Sequence, residues 1–216
     1  MRYYRLVVQQ AFQRARTSAH KREREQALLT AARAMVDRNG VQSTTLTDIA
    51  NETGLHYSAV RRYFGSRDAV MLQLVVEGWD CWASRVCERF LCEGSLSAEG
   101  YVDIIGSTLA SDGIFCELLG NLPTFLGGAS EHELRLVNRR VAAATSRITC
   151  TVSSLVPEVA PEAVEELVVI AAVLAAAMPH VRQIAVAESA SSEGVPHSTG
   201  LVNELRRLAP TAVFGA

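Results

Sequence analysis

Apolar residues along this chain recur every three to four positions, the spacing of one buried helical face, and not every two. Over residues 22–38, Leu28, Ala31, Ala32, Met35 and Val36 share a face, and Asn39-Gly40 supplies a left-handed stop. Thr45 and Asp48 form a capping box for a second helix through Leu46, Ile49 and Ala50, which Gly54 breaks. A third short helix is predicted over 57–64, closed by Gly65. Ser66 then caps a long helix reaching about Cys92, with Asp68 in its first turn to suit the dipole. Its apolar stripe includes Val70, Leu74, Trp79, Trp82, Val86 and Phe90. Five more helices fit 98–110, 112–126, 130–155, 161–187 and 198–208, parted by Asp112-Gly113, Gly127-Gly128, Pro157 with Pro161, and the loop 189–198. Period-2 runs and hairpin turns are lacking, so the expected fold is all-α with about nine helices.

Charge divides this helical chain. The 216 residues carry a formal net charge of −2, but residues 1–67 hold 12 Lys/Arg against 5 Asp/Glu, a net of +7. Residues 68–216 hold 9 against 18, a net of −9. A basic head on an acidic body points to an anionic partner for the head alone. Hydrophobic residues at 49% exclude a disordered or collagen-like chain.

Five cysteines, an odd count without a C-x-x-C pair or a suitably spaced His, make neither a disulfide framework nor a metal site, so no metal is expected. The first 22 residues contain no acid, and their longest apolar run is Leu6-Val7-Val8, too short for a signal peptide. The longest apolar run, 167–179, falls short of the ~20 residues of a bilayer span, so the reading is a cytoplasmic, reduced protein with no membrane partner.

Residues 45–64, TLTDIANETGLHYSAVRRYF, have the length and punctuation of a helix-turn-helix. Leu46, Ile49, Ala50, Leu55, Val60 and Phe64 would hold the helices together and leave Tyr57, Ser58, Arg61 and Arg62 outward, with Tyr63 beside them. Arg, Tyr and Ser on one open face suit phosphate and base-edge contact. A solvated helix hairpin with no nucleic-acid role is the alternative on spacing alone.

Beyond spacing, residues 24–83 resemble the DNA-binding domain of the TetR (tetracycline repressor-like) family of bacterial transcription regulators. The resemblance rests on Ala31-Ala32, Gly40 followed by Thr44-Thr45, Thr47-Asp48-Ile49-Ala50, Gly54-Leu55, and the run from Arg61 to Val70. It implies a three-helix DNA-binding domain at 22–67 and a larger helical ligand-binding and dimerisation domain at 68–216, after a basic extension at 1–21. Three positions depart from the family pattern. His56 stands where a small polar cap is usual, Ala59 replaces a phosphate-contacting Thr, and Arg61 replaces a Tyr. The family's positions assign Thr45, Tyr63 and Arg67 to phosphate clamping, joined by Arg61 and Arg62. Thr47, Tyr57 and Ser58 become candidates for base-edge reading in double-stranded DNA. The extension is open to three readings: a basic arm on the DNA, a disordered or misassigned start, or an extra helix built on Tyr3, Tyr4, Leu6, Val7, Ala11 and Phe12.

The resemblance further implies a homodimer through the helix at 161–187 and the last helix, hence a palindromic operator. It also implies a small-molecule effector cavity. Candidate lining residues are Trp79, Trp82, Phe115, Leu119, Leu122 and Phe125, with Asn138, Arg140 or His180 as polar anchors, and the effector class is apolar. The expected function is a repressor released from its operator by that effector. Alternatives are a redox or metal sensor working through cysteines, and a constitutive DNA-binding protein without effector. No G-x-S-x-G, Walker loop or H-E-x-x-H occurs, so neither an enzyme nor a cofactor is expected.

Overall fold

A computed structural model describes the backbone of residues 2–94, 96–188 and 197–208; the side chains of residues 2–19, 98, 180–188, 197–199 and 208 lie outside the description. Among the described residues there are nine α-helices and no strand. The chain divides into two compact units, Met1–Val70 and Met71–Ala216.

The first unit holds α1 (Arg2–Asn39), α2 (Leu46–Thr53), α3 (Tyr57–Phe64) and the first residues of α4 (Arg67–Glu93). Helix α1 starts twenty residues earlier than the expected 22, for a simple reason: no Gly or Pro interrupts residues 2–21, and Gln, Arg and Ala there favour helix. The side chains of the proposed extra helix lie outside the described residues. The core is formed where Leu28, Ala32 and Val36 of α1 meet Ile49 and Ala50 of α2 and Val60 of α3, all at most 2% exposed. Gly40 takes φ 79° and donates its N–H to Val36 O, closing α1 with a backbone turn that favours glycine. The capping box forms as the spacing predicts. Thr45 Oγ1 accepts from Asp48 N at 3.2 Å, and Asp48 Oδ2 accepts from Thr45 N at 2.8 Å. Gly54, at φ 66°, then ends α2.

The second unit contains most of α4, with α5 (Ala98–Ala110), α6 (Gly113–Gly127), α7 (Glu131–Leu155), α8 (Pro161–Glu188) and α9 (His197–Leu208). Polar caps start three of them: Ser97 for α5, Asp112 for α6, and Ser130 with Glu133 as a capping box for α7. Helix α8 packs against α5, α6, α7 and α9. Its inward face is Val164, Leu167, Val168, Ala171 and Ala175, while Val169 and Val173 are 56% and 63% exposed. The sequence predicted a helix buried on most sides; within one chain α8 keeps an apolar face open. The core of this unit is aromatic, with Trp82, Phe90, Tyr101, Phe115 and Phe125 almost wholly buried.

Candidate functional site

In the first unit, the buried side chain of Val60 fixes which way α3 faces. Tyr57, Ser58, Arg61 and Arg62 consequently form one exposed surface, with Tyr63 half-buried at its side and Thr47 of α2 exposed. Neither Arg61 nor Arg62 has an ion-pair partner among the described residues, so both guanidinium forks are available to an anion. Arg suits this because its fork makes paired bonds to phosphate or to a guanine edge.

Two residues expected to clamp phosphate are occupied inside the unit. Thr45 donates its one hydroxyl proton to Asp48 Oδ2 at 2.7 Å. The Thr45 hydroxyl, and next its backbone N–H, hold the Asp48 carboxyl below its usual pKa. Arg67 turns its guanidinium inward, donating Nε to Thr44 O at 2.7 Å and a terminal nitrogen to Val41 O. Its other terminal nitrogen pairs with Asp68 Oδ1 at 3.1 Å. The turn before α2 exposes carbonyls that no helix ladder can satisfy, and Arg67 satisfies them. His56, expected to cap poorly, does hold the N-cap of α3: its Nδ1 accepts from Ser58 N at 3.3 Å and lies 2.8 Å from Ser58 Oγ. That contact also engages the Ser58 hydroxyl. Thr47, Tyr57, Arg61, Arg62 and Tyr63 remain as the outward set.

In the second unit, three of the expected effector residues come together. The indoles of Trp79 and Trp82 lie 5.4 Å apart at 64°, and the Phe115 ring stands 5.7 Å from Trp79 at 82°, both edge-on. Gly78 makes this possible: a Cβ there would fall 2.2 Å from Phe115 Cδ2. Leu119 and Phe125 are buried, and Leu122 is half-buried. Two of the three expected polar anchors are exposed. Asn138 is exposed, Arg140 is an exposed partner of Asp80 at 3.3 Å, and the side chain of His180 lies outside the described residues.

Sequence reasoning missed a groove of about 420 Å³ between α4 and α5, lined by Arg85, Arg89, Cys92, Ser107, Thr108 and other residues. Arg85 there pairs with the buried Asp112 carboxylate at 3.2 Å, and Asp112 also caps α6 through Phe115 N. Arg85 lies three residues beyond Trp82, but nothing in the sequence joins it to a residue 27 positions on.

Cys81, Cys92 and Cys150 are exposed, Cys87 and Cys116 are buried, and all five are free. Burial, reinforced by the Asp112 charge, pushes the Cys116 thiol up to about 11, which suits an inert core residue. Among the described residues no group of His, Cys, Asp and Glu could hold a metal ion, and no helix is long and apolar enough to cross a membrane.

The described residues thus place a helix-turn-helix in the first unit and an aromatic helical core in the second. Residues 28–74 match the family described as bacterial regulatory proteins, tetR family. Solved structures share the fold. FadR from Bacillus subtilis, in complex with stearoyl-CoA, is 12% identical with a TM-score of 0.58, covering 89% of this chain and 99% of its own. FadR from Thermus thermophilus, in complex with lauroyl-CoA, is 16% identical with a TM-score of 0.57, covering 85% and 92%. A TetR-family transcriptional regulator from Streptomyces coelicolor is 16% identical with a TM-score of 0.55, covering 88% and 96%. No curated protein matches the chain in sequence.

Proposed function

We propose that the protein is a cytoplasmic transcriptional repressor that grips a palindromic operator as a homodimer and is released by a small, largely apolar effector. The observation that carries the DNA reading is the open face of α3, where Tyr57, Arg61 and Arg62 stand outward on a helix locked by Val60. In this reading Arg61, Arg62 and Tyr63 hold phosphates, and Thr47 and Tyr57, with Ser58 beside them, read base edges in the major groove. Thr45 and Arg67 act one step back, by shaping the turn that presents α2. Residues 22–67 do the reading, and 68–216 do the regulating.

The exposed pair Val169 and Val173 on α8 supports a second copy as partner, because a soluble chain gains by covering such a face. A two-fold dimer sets its reading helices about one DNA turn apart, ~34–36 Å. The aromatic cluster of Trp79, Trp82 and Phe115 supports an apolar effector seated in the second unit, and the FadR structures, solved in complex with acyl-CoA molecules, support a ligand with a long apolar part. Effector binding shifts the balance between two dimer geometries only by its differential affinity for them, ~1–3 kcal/mol of coupling.

The test is genomic footprinting with the purified protein, followed by sedimentation and operator titration of wild type and Val173→Asp. The reading predicts a palindromic footprint, a wild-type dimer at micromolar concentration, and a variant that sediments as monomer and loses operator affinity. A monomeric wild type, or a footprint without two-fold symmetry, refutes it.

A further inference from the structure

Trp79 is 5% exposed, yet its indole Nε1–H, fully screened from solvent, meets no acceptor. Trp82, one turn further along α4, is the contrast. It is wholly buried and donates Nε1–H to Thr108 Oγ1 at 3.1 Å, and that hydroxyl donates in turn to Ile104 O at 2.6 Å. The rings packed on Trp79 bring no acceptor of their own: the single polar atom of Trp82 is a donor already in use, and Phe115 has none. Leaving a buried donor unmet weakens a fold, and a phenylalanine would build much of the same wall without that cost.

We infer that the Trp79 indole N–H is the polar anchor of the effector site, and that the effector is a flat, largely apolar molecule carrying a carbonyl-type acceptor for it. The inference rests on the proposed effector reading and adds the ligand's chemistry to it. Indole nitrogen donates and never accepts, so the anchor selects an acceptor and gives nothing to a donor. The aromatic rings of Trp79, Trp82 and Phe115 favour a flat partner that packs against them. Asn138 and Arg140, the anchors expected from the sequence, are exposed, which leaves this role to Trp79 among the described candidates.

The experiment uses the full-length protein and two probes of nearly equal shape, 2-acetylnaphthalene and 2-ethylnaphthalene, which differ by a carbonyl oxygen. Equilibrium dialysis should show wild type holding the ketone about tenfold or more tighter than the hydrocarbon, as one well-made buried hydrogen bond implies. Trp79→Phe should bring the two affinities together by losing on the ketone. A ligand-free comparison stands beside it: Trp82→Phe, which breaks a formed bond, should lower the melting temperature more than Trp79→Phe, which breaks none. The inference is overturned if wild type does not prefer the ketone, if Trp79→Phe keeps the preference, or if Trp79→Phe melts as low as Trp82→Phe. Operator titration separates the two levels. A ketone bound through Trp79 that leaves the operator complex intact sinks the effector reading alone. Compounds that release wild type and Trp79→Phe equally well sink the anchor alone.

Discussion

Replacing Arg67 with alanine separates a residue that touches DNA from one that builds the element touching DNA. The Arg67 side chain is 28% exposed and bonds two backbone carbonyls, Thr44 O and Val41 O, with Asp68 as a third partner. A bond involving a charged group contributes ~1.5–3 kcal/mol, and two of them with freed carbonyls partly rehydrating leave a net cost of about 2–3 kcal/mol. That is a large share of the ~5–15 kcal/mol that holds a domain folded. Urea unfolding followed by far-UV circular dichroism should show this loss for Arg67→Ala. Arg67→Lys should recover less than half, because an ammonium cannot span two carbonyls as a fork does. Operator affinity, measured by fluorescence anisotropy across salt concentrations, should fall while the slope of log K against log salt stays at the wild-type value. A variant that unfolds within about 0.5 kcal/mol of wild type, with a slope shallower by ~0.9, would show Arg67 neutralising a phosphate and refute the reasoning.

Arg61→Ala should weaken binding to every DNA sequence and flatten the salt slope by about 0.9, whereas Tyr57→Ala should mainly relax sequence preference; footprint titrations on specific and random DNA distinguish them. Gly78→Ala drives a methyl into the buried Phe115 ring, where the nearest atom is 2.2 Å away. Overpacking of about 1–3 kcal/mol, less ~1 kcal/mol of helix propensity gained, should lower the melting temperature, and a rise would show that the ring yields freely. The Cys116 thiol titrates near 11 in the folded chain against an ordinary 9.0, so the unfolded thiol ionises first. Stability present below pH 9 should therefore fall as pH rises toward 11, by up to about 1.4 kcal/mol per unit, and Cys116→Ala should flatten that part of the curve.

Local signals carried most of the fold. The Thr45–Asp48 box, the Gly54 break and the α3 limits at Tyr57 and Phe64 depend on neighbours within four positions, and the structure places them where the sequence does. The start of α1 was misplaced because an uninterrupted helix gives no internal mark of where a domain begins. The intramolecular role of Arg67 was hidden for a different reason: a cation in that place suits a phosphate, but its partners here are carbonyls 23 and 26 residues away whose orientation no spacing rule reports. The meeting of Trp79 with Phe115 is equally non-local, and the bare Cα of Gly78 was its one visible trace. Polar anchors were expected at Asn138, Arg140 or His180 by residue type, and residue type alone gives no sign that the buried Trp79 donor lacks an acceptor.

The Arg67 fork also bears on how such chains recombine. The first compact unit ends at Val70, three residues past Arg67, so the clamp on the Val41–Thr44 turn belongs wholly to the reading head although it is borne by the first residue of α4. A graft made at Ser66 would leave the head without the side chain that completes its turn. A graft made after Val70 carries the head's own fastening with it, and that is where a chimera with a foreign sensing unit should be joined.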